Sequence, residues 1–581
     1  MYKITNYLKD YKKESIIAPL FKMLEASFEL LVPLVMAAIV ETGIKNHDNG
    51  YILKMGGVLV LLAMVGLACS ITAQYFAAKA AVGVGKNVRK DLFEHINRLS
   101  YAELDKAGTS TLITRMTNDI NQMQSGVNMF LRLFLRSPFI VFGAMIMAFV
   151  VDVKAALVFV VAIPALSVVV FGIMLYSIPL YQKVQKALDR VLMTTRENLA
   201  GARVIRAFNH QENEKKEYKE QSEALYQIQN FVGKISAIMN PVTYVIVNLA
   251  IIAIIWVSGK QVNTGRLEQG EVIALVNYMS QILVELVKLA NLIILLTKAM
   301  ACSKRVGEVF AMEPSVTEPM TQSLEKTQNA ENKVEFRDVS FAYGDAKEPA
   351  LSHISFSAKQ GETIGIIGGT GCGKTTLVNL IPRFYDATEG KILVDGVDVK
   401  DYKFLTLREQ IGVVPQKAVL FDGTIADNLR WRKKDATIEE MERAIAIAQA
   451  KDVIESKKNG FDAWILQGGK NLSGGQRQRL TIARALVGNP QILILDDSAS
   501  ALDFATDANL RKAIKEETKG MTVFIVSQRA STIKQADQIL VLDDGEMVGL
   551  GTHDELMETC EIYQEIVHSQ EDAKGEKNNG K

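Results

Sequence analysis

Thr363-Ile364-Gly365-Ile366-Ile367-Gly368-Gly369-Thr370-Gly371-Cys372-Gly373-Lys374-Thr375-Thr376-Leu377-Val378-Asn379-Leu380-Ile381 decides the fold of the second half of this chain. Its first five residues read as a buried strand. Gly368 to Thr375 then fits G-x-x-x-x-G-K-[ST], a loop whose backbone N–H groups cradle phosphates while its lysine reaches the terminal ones and its hydroxyl meets Mg²⁺. The residues from Thr375 to Ile381 read as the helix that follows. Strand, loop and helix in this order turn a pattern into a site, because the helix N-terminus adds its own attraction for anions. Lys374 is expected at the β and γ phosphates, Thr375 at Mg²⁺ and Thr376 at the α phosphate. Cys372, inside the loop, reads as a small filler residue rather than a redox switch.

Working outward, the 581 residues are too many for one core and predict at least two domains. Mean hydropathy is slightly positive, yet 23% of residues are charged, so the average conceals two unlike halves. Long apolar runs lie almost entirely before Met300. After Val334 short strand-like and helix-like patterns alternate, as in an α/β domain. A net charge of +1 gives no footprint for nucleic acid. Cys69, Cys302, Cys372 and Cys560 are scattered without C-x-x-C spacing and suggest neither a disulfide framework nor a metal site.

A membrane-crossing helix needs roughly 20 apolar residues. Six stretches qualify, near 17–44, 51–78, 129–151, 155–178, 235–258 and 272–297. The loops 45–50 and 152–154 are tiny and 259–271 is modest, whereas 79–128 and 179–234 are long, polar and rich in lysine and arginine. By the positive-inside rule these two loops, and Lys3, Lys9, Lys12 and Lys13, face the cytoplasm, as do both termini. The first apolar run is too long for a signal peptide, lacks a small-residue cleavage pattern and leads straight into a second span. Both long loops keep an apolar residue every three or four positions, so the spanning helices are expected to continue into the cytosol. Within the spans Glu25, Glu29, Arg132, Arg136, Asn277, Gln281, Glu285, Lys288 and Asn291 are the polar positions to weigh for a substrate path. Glu285 and Lys288, three apart, are expected to pair with each other.

Downstream of the phosphate loop stands Leu472-Ser473-Gly474-Gly475-Gln476, and both motifs lie behind the hydrophobic half. That combination resembles the ATP-binding cassette (ABC) exporters in which membrane and nucleotide domains are fused, over nearly the whole sequence. The resemblance implies a membrane α-helical domain of six transmembrane helices extended into the cytosol (1–312), a linker (313–333), an α/β P-loop ATPase domain of ABC type (334–570) and a polar tail (571–581). It implies ATP and Mg²⁺ as ligands, a bacterial-type cell membrane as location, and membrane lipid as surroundings. Tyr343 occupies the position where such cassettes stack an aromatic ring on adenine. Gln416, after Val413-Val414-Pro415, matches the glutamine that senses Mg²⁺, and Asp496, closing the apolar strand Ile492 to Leu495, fits the second Mg²⁺ anchor. Asp503, at the end of the motif that Asp496 opens, joins the nucleotide set. Leu99 to Asp105 followed by Ser110 to Asp119, and Glu197 to Phe208, are similar to the two segments that couple membrane helices to cassettes. Val204, Ile205, Ala207 and Phe208 put apolar residues nearly all round the second one, which suits a helix docked in a groove.

In this family each nucleotide is held between the phosphate loop of one cassette and the signature of another, so a dimer is implied. Ser473, Gly474, Gly475 and Gln476 would serve the partner's nucleotide, with the helix N-terminus supporting the same task. Two positions depart from the family pattern. Asp497 stands where glutamate usually polarises the attacking water, and the missing methylene withdraws the carboxylate by roughly 1 Å, an error that costs on the order of 100-fold in rate, or about 2.7 kcal/mol of barrier. Gln528 stands where the switch histidine is usual; it hydrogen-bonds but carries neither a proton nor a charge. A third departure, Gln467-Gly468-Gly469, replaces the usual Glu-Arg-Gly before the signature. Such losses, with every binding element kept, resemble the degenerate half of a heterodimeric exporter whose partner carries the glutamate and the histidine. A homodimer with two slow sites and an ATP-gated channel or regulator are the alternatives; an importer is disfavoured because importers commonly place the two domain types on separate chains. The cargo, whether amphipathic small molecule, lipid or peptide, is not legible.

Overall fold

The computed structural model describes residues 4–319, 331–344, 346 and 348–578, so part of the expected linker, 320–330, and the last residues of the tail lie outside the described residues. Two compact units emerge, and the division is not a single cut. The first takes the chain up to Asn97 and then Thr109–Met312; the second takes Arg98–Gly108 together with the chain from Glu313 onward.

Among the described residues, six long apolar helices make up the first unit: Asn6–Ile44, Asn49–Ile96, Thr109–Val151, Val153–Ala200, Gln211–Asn263 and Gln269–Phe310. They run to between 39 and 53 residues, well beyond the apolar stretches within them. At 1.5 Å per residue a helix of 48 residues is about 72 Å long, against roughly 30 Å of hydrocarbon. Local chemistry explains the short turns. Asp48 caps the second helix by accepting from the Tyr51 N–H at 2.9 Å. Asp152, extended at φ −156°, ends one helix and caps the next, accepting from the Ala155 N–H at 2.6 Å and from Gln261 at 2.8 Å. Small residues let the helices approach closely: Ala26, Ala144, Ala148, Ala155 and Ala156 are buried, and a Cβ on Gly270 would stand 2.3 Å from the Ala37 carbonyl oxygen. The Tyr278 hydroxyl donates to the Leu30 carbonyl at 2.7 Å.

Most of the charges singled out inside the spans are paired, as a low-dielectric medium favours, whereas the buried Arg132 Nε has no hydrogen-bond partner among the described residues. Arg136 bridges Glu29 at 2.6 Å and Glu285 at 2.7 Å, and Glu285 also accepts from Ser137 and from Lys288, the expected partner, at 2.8 Å each. Lys22 meets Glu25 and Ser70. Glu29, Asn277, Gln281 and Lys288 line a cavity of about 360 Å³.

The second unit is built on parallel strands buried on both faces, which is why they read as near-continuous apolar runs. One sheet joins β1 (Asn332–Phe341), β2 (Leu351–Lys359), β4 (Glu389–Val394) and β5 (Val397–Asp398) in the order β2-β1-β4-β5. The central sheet joins β3 (Thr363–Gly368), β6 (Ile411–Val414), β9 (Ile492–Asp496), β10 (Thr522–Val526), β11 (Gln538–Asp543) and β12 (Glu546–Gly551) in the order β12-β11-β3-β10-β9-β6. All its pairings are parallel except that of β12. Successive residues alternate between two cores: Ile366, Ile494 and Phe524 face one, while Ile367, Leu493, Leu495, Val523 and Ile525 face the other. A short ribbon pairs β7 (Gly423–Thr424) with β8 (Trp464–Ile465).

The helix Tyr101–Ala107 belongs to this unit, although it interrupts the sequence of the first. Ser100 and Glu103 form a capping box at its start, and the Val316 N–H donates to the Ser100 hydroxyl at 3.0 Å. Tyr101 stacks on Phe384 with centroids 4.5 Å apart, and Asp105 accepts from the Tyr385 hydroxyl at 3.0 Å. The helix Ala202–Ala207 contrasts with it: none of its residues is buried, and Val204 and Phe208 expose 59% and 71% of their surface.

Candidate nucleotide-binding site

Four neighbouring strands of the central sheet end on the same edge, and each ends in a residue that the sequence singled out. β3 runs into the phosphate loop at Gly368, β6 leads to Gln416, β9 closes on Asp496, and β10 leads to Gln528. Register makes the alignment strict: Asp496 lies opposite Val526, which lies opposite Ile366. The crevice outside the carboxyl ends of parallel strands is where open α/β sheets bind ligands.

The loop itself is shaped by glycine where nothing else fits. Gly368 has φ 155° and a Cβ there would lie 2.0 Å from the Leu542 carbonyl oxygen; Gly373, at φ 93°, would place one 2.7 Å from the Ala350 oxygen. Lys374 opens the following helix, Lys374–Leu380, and its buried ammonium donates to the Gly368 and Gly369 carbonyls at 3.0 and 2.5 Å. Cys372 is buried, with its sulfur 3.5 Å from that ammonium. Thr370, Gly371, Gly373, Lys374, Thr375 and Thr376 all line one cavity of about 400 Å³. Tyr343 forms another part of its wall, 41% exposed, with its hydroxyl 3.0 Å from that of Thr376.

Gln416, Asp496, Asp497 and Gln528 also line this cavity, together with Ala350, Val526 and Ser527. The Thr375 hydroxyl donates to Asp496 at 3.0 Å, so a hydroxyl and a carboxylate already share one point. An all-oxygen pair beside a phosphate loop is the donor set that a hard cation such as Mg²⁺ takes. Burial pushes the Asp496 carboxyl above the usual carboxylate range, as does the neighbouring Asp497 charge, against the pull of Thr375. Asp497 is raised chiefly by burial too, while a hydrogen bond from Gln416 and the charges of Arg529 and Lys374 draw it down. Its backbone is left-handed at φ 44°, rare for a residue with a side chain; the Asp497 N–H donates to the Val526 carbonyl, and the Ser500 hydroxyl donates to the Asp497 carbonyl at 2.8 Å.

The signature residues do not join this cavity. Ser473 caps the helix Gly474–Leu486: its hydroxyl accepts from the Gln476 N–H at 3.3 Å while the Gln476 side chain accepts from the Ser473 N–H at 3.0 Å. Ser473 and Gly474 are exposed, so their face is open to a second molecule. Asp503 also lies outside the cavity lining; it caps the helix Phe504–Glu517, with one oxygen on the Thr506 N–H at 2.9 Å and the other on the Thr506 hydroxyl at 2.8 Å. Gly468 and Gly469, in the third departure from the family pattern, take left-handed backbone at φ 73° and 67°.

Two residues that sequence reading passed over touch the site from outside. Tyr385 packs edge-on against Tyr343 with centroids 5.3 Å apart while its hydroxyl reaches Asp105. Burial first, then Asp105, holds that phenol far above its ordinary range. An aromatic five residues beyond the phosphate-loop helix was the available signal for it. Gln570, on the helix Glu561–Asn578, hydrogen-bonds the backbone on either side of Arg529, and nothing in its sequence neighbourhood marks it.

Comparison with known proteins is consistent along the whole chain. The family model described as the ABC transporter transmembrane region matches residues 15–286, and the one described as ABC transporter matches 351–500. The ABC transporter ATP-binding protein YfiB of Bacillus subtilis is 37% identical over 570 residues, covering 98% of each chain. The putative multidrug export ATP-binding/permease protein YgaD of the same organism is 32% identical over 579 residues, 97% of this chain and 98% of that one. An ATP-dependent lipid A-core flippase of Desulfotalea psychrophila is 35% identical over 494 residues, covering 84% and 85%. Among solved structures, a bacterial Atm1-family ABC exporter with ATP bound superposes with a TM-score of 0.78 at 22% identity, covering 96% of this chain and 98% of that one, a likeness of fold.

Proposed function

The chain belongs to the ABC transporter family, as an integral membrane exporter with its transmembrane and ATP-binding domains fused, and from that premise we propose that it is the degenerate-site half of a heterodimer. ABC exporters work as dimers and bind ATP with Mg²⁺. The observation that carries the proposal is the pair Asp497 and Gln528 in an otherwise complete nucleotide cavity. Lys374, Thr375, Thr376 and the loop amides hold the phosphates, Tyr343 meets the adenine, and Thr375, Gln416 and Asp496 hold Mg²⁺, which screens phosphate charge when bound. Asp497, shorter than glutamate by one methylene and tied to Gln416, orients water poorly; Gln528 offers a hydrogen bond but no positive charge. This chain's own site therefore binds ATP well and hydrolyses it slowly. Ser473 to Gln476, exposed at a helix N-terminus, completes the partner's site, whose glutamate and histidine do the chemistry.

Two ATP molecules draw the cassettes together, and the segments 99–105 and 197–208 carry that closure to the membrane helices, which alternate between inward and outward openings. Both termini face the cytoplasm. The cargo is an amphipathic or hydrophobic small molecule, lipid or peptide, a range that the lipid and multidrug roles named for its relatives support. The second reading, a homodimer with two slow sites, is favoured by the completeness of the binding set. Native mass spectrometry of the complex drawn gently from its own membrane separates them: this chain plus a different one of similar size is expected, and twice this chain's mass would overturn the heterodimer.

A further inference from the structure

The loop that carries Gln528 leaves β10 at Val526 and enters the helix Ala530–Ile533; the Ser527 N–H still donates to the Ile366 carbonyl on β3 at 3.1 Å, and the strand pairing stops there. Past that bond, the Gln528 carbonyl and the Ala530 N–H are both held by one side chain from the C-terminal helix. The Gln570 side-chain NH₂ donates to the Gln528 carbonyl at 2.7 Å, and its carbonyl oxygen accepts from the Ala530 N–H at 2.9 Å. A primary amide is the side chain that offers one donor and one acceptor at this spacing, so Gln570 treats the loop as a second strand would. The helix beneath it is fixed. Tyr563 is fully buried with its hydroxyl 2.9 Å from His553 Nδ1, and Val567, less than one turn before Gln570, is buried as well. Other contacts within the loop point the same way: the Arg529 N–H donates to the Ser527 hydroxyl at 2.9 Å, and its guanidinium lies 5.0 Å over the Phe504 ring. The backbone of Gln528 is thus pinned from behind while its side chain lines the nucleotide cavity in front.

We propose that Gln570 is a positioning residue for nucleotide binding: by clasping the Gln528 and Ala530 backbone it holds the Gln528 side chain at the bound ATP. This rests on the reading that Gln528 meets the nucleotide. A glutamine at that position needs the clasp more than a histidine does, because a neutral amide has only short-range, directional hydrogen bonds with which to hold phosphate.

The test uses the full transporter with whatever partner copurifies, and reads this chain's own site as 8-azido-ATP photolabelling of its affinity-tagged band in Mg²⁺. The variants are Gln528→Ala, Gln570→Met, which keeps length and packing but makes no such bonds, and the two together. Gln528→Ala is expected to raise the half-saturating concentration about 5-fold, Gln570→Met about 3-fold, and the double variant no more than Gln528→Ala alone, since a residue acting through another adds nothing once that other is gone. An effect of Gln570→Met that is absent, or that multiplies in full with that of Gln528→Ala, overturns the clasp while leaving the role of Gln528 standing. Unchanged labelling of Gln528→Ala overturns both. Should Gln570→Met fail to assemble, Gln570→Glu, which keeps the bond from Ala530 and loses the one to Gln528, is read in the same way.

Discussion

The phosphate-loop cavity and the signature helix share one domain, yet each is complete in what the other lacks. The cavity gathers side chains from the ends of four adjacent strands into about 400 Å³, but carries Asp497 and Gln528 where hydrolysis is usually served. The signature keeps Ser473, Gly474, Gly475 and Gln476, capped and exposed, but none of them lines that cavity. On the proposed reading, one region holds a nucleotide and the other offers itself to a nucleotide held elsewhere. If that reading holds, binding and chemistry are separable within a single polypeptide, and substitution in each region should register at a different site.

The largest effect should come from the signature. Ser473→Arg, which fills the exposed cap with a long charged side chain, should lower ATPase turnover of the assembled transporter by about 100-fold, while Asp497→Asn should change it by less than about 2-fold. Equal losses in the two variants would break the comparison. Lys374→Ala should come next, weakening ATP binding to this chain by about 30-fold in photolabelling, since a charged donor to phosphate is lost; turnover at the partner's site should fall less. Restoring the missing methylene sharpens the contrast: Asp497→Glu should raise hydrolysis at this chain's site by about 10-fold in single-turnover assays, short of the full gain because Gln528 remains. The smallest effect is expected behind the adenine wall. Tyr385→Phe removes the bond to Asp105 and should cost about 1 kcal/mol in the melting of the ATPase domain, with Tyr343 still in place.

Much of this was legible because it rests on local patterns. Apolar length gave six spans, and the phosphate loop gave its strand and helix, since glycine spacing and flanking hydrophobicity are local properties. What escaped depends on residues far apart in sequence. That 98–108 folds with the second unit rather than the first follows from Tyr101 on Phe384 and Ser100 on Val316, contacts across more than two hundred residues. The role of Asp503 as a helix cap was obscured because the same carboxylate fits a nucleotide motif. Gln570 sits in a polar run without any period, and only its meeting with the Gln528 backbone gives it meaning. Charges in the spans were visible as oddities, but the Arg136 bridge from Glu29 to Glu285 joins three helices and leaves no trace in spacing.

The length of the membrane helices has a mechanical consequence. A helix of 48 residues is a stiff rod of about 72 Å, and tilting it by about 10° around one end sweeps the other through about 12 Å. Such a lever has a poor mechanical advantage and a long stroke: it gains travel at the far end and gives up force there. A short-range pull close to the pivot is then enough to move the far end through that distance.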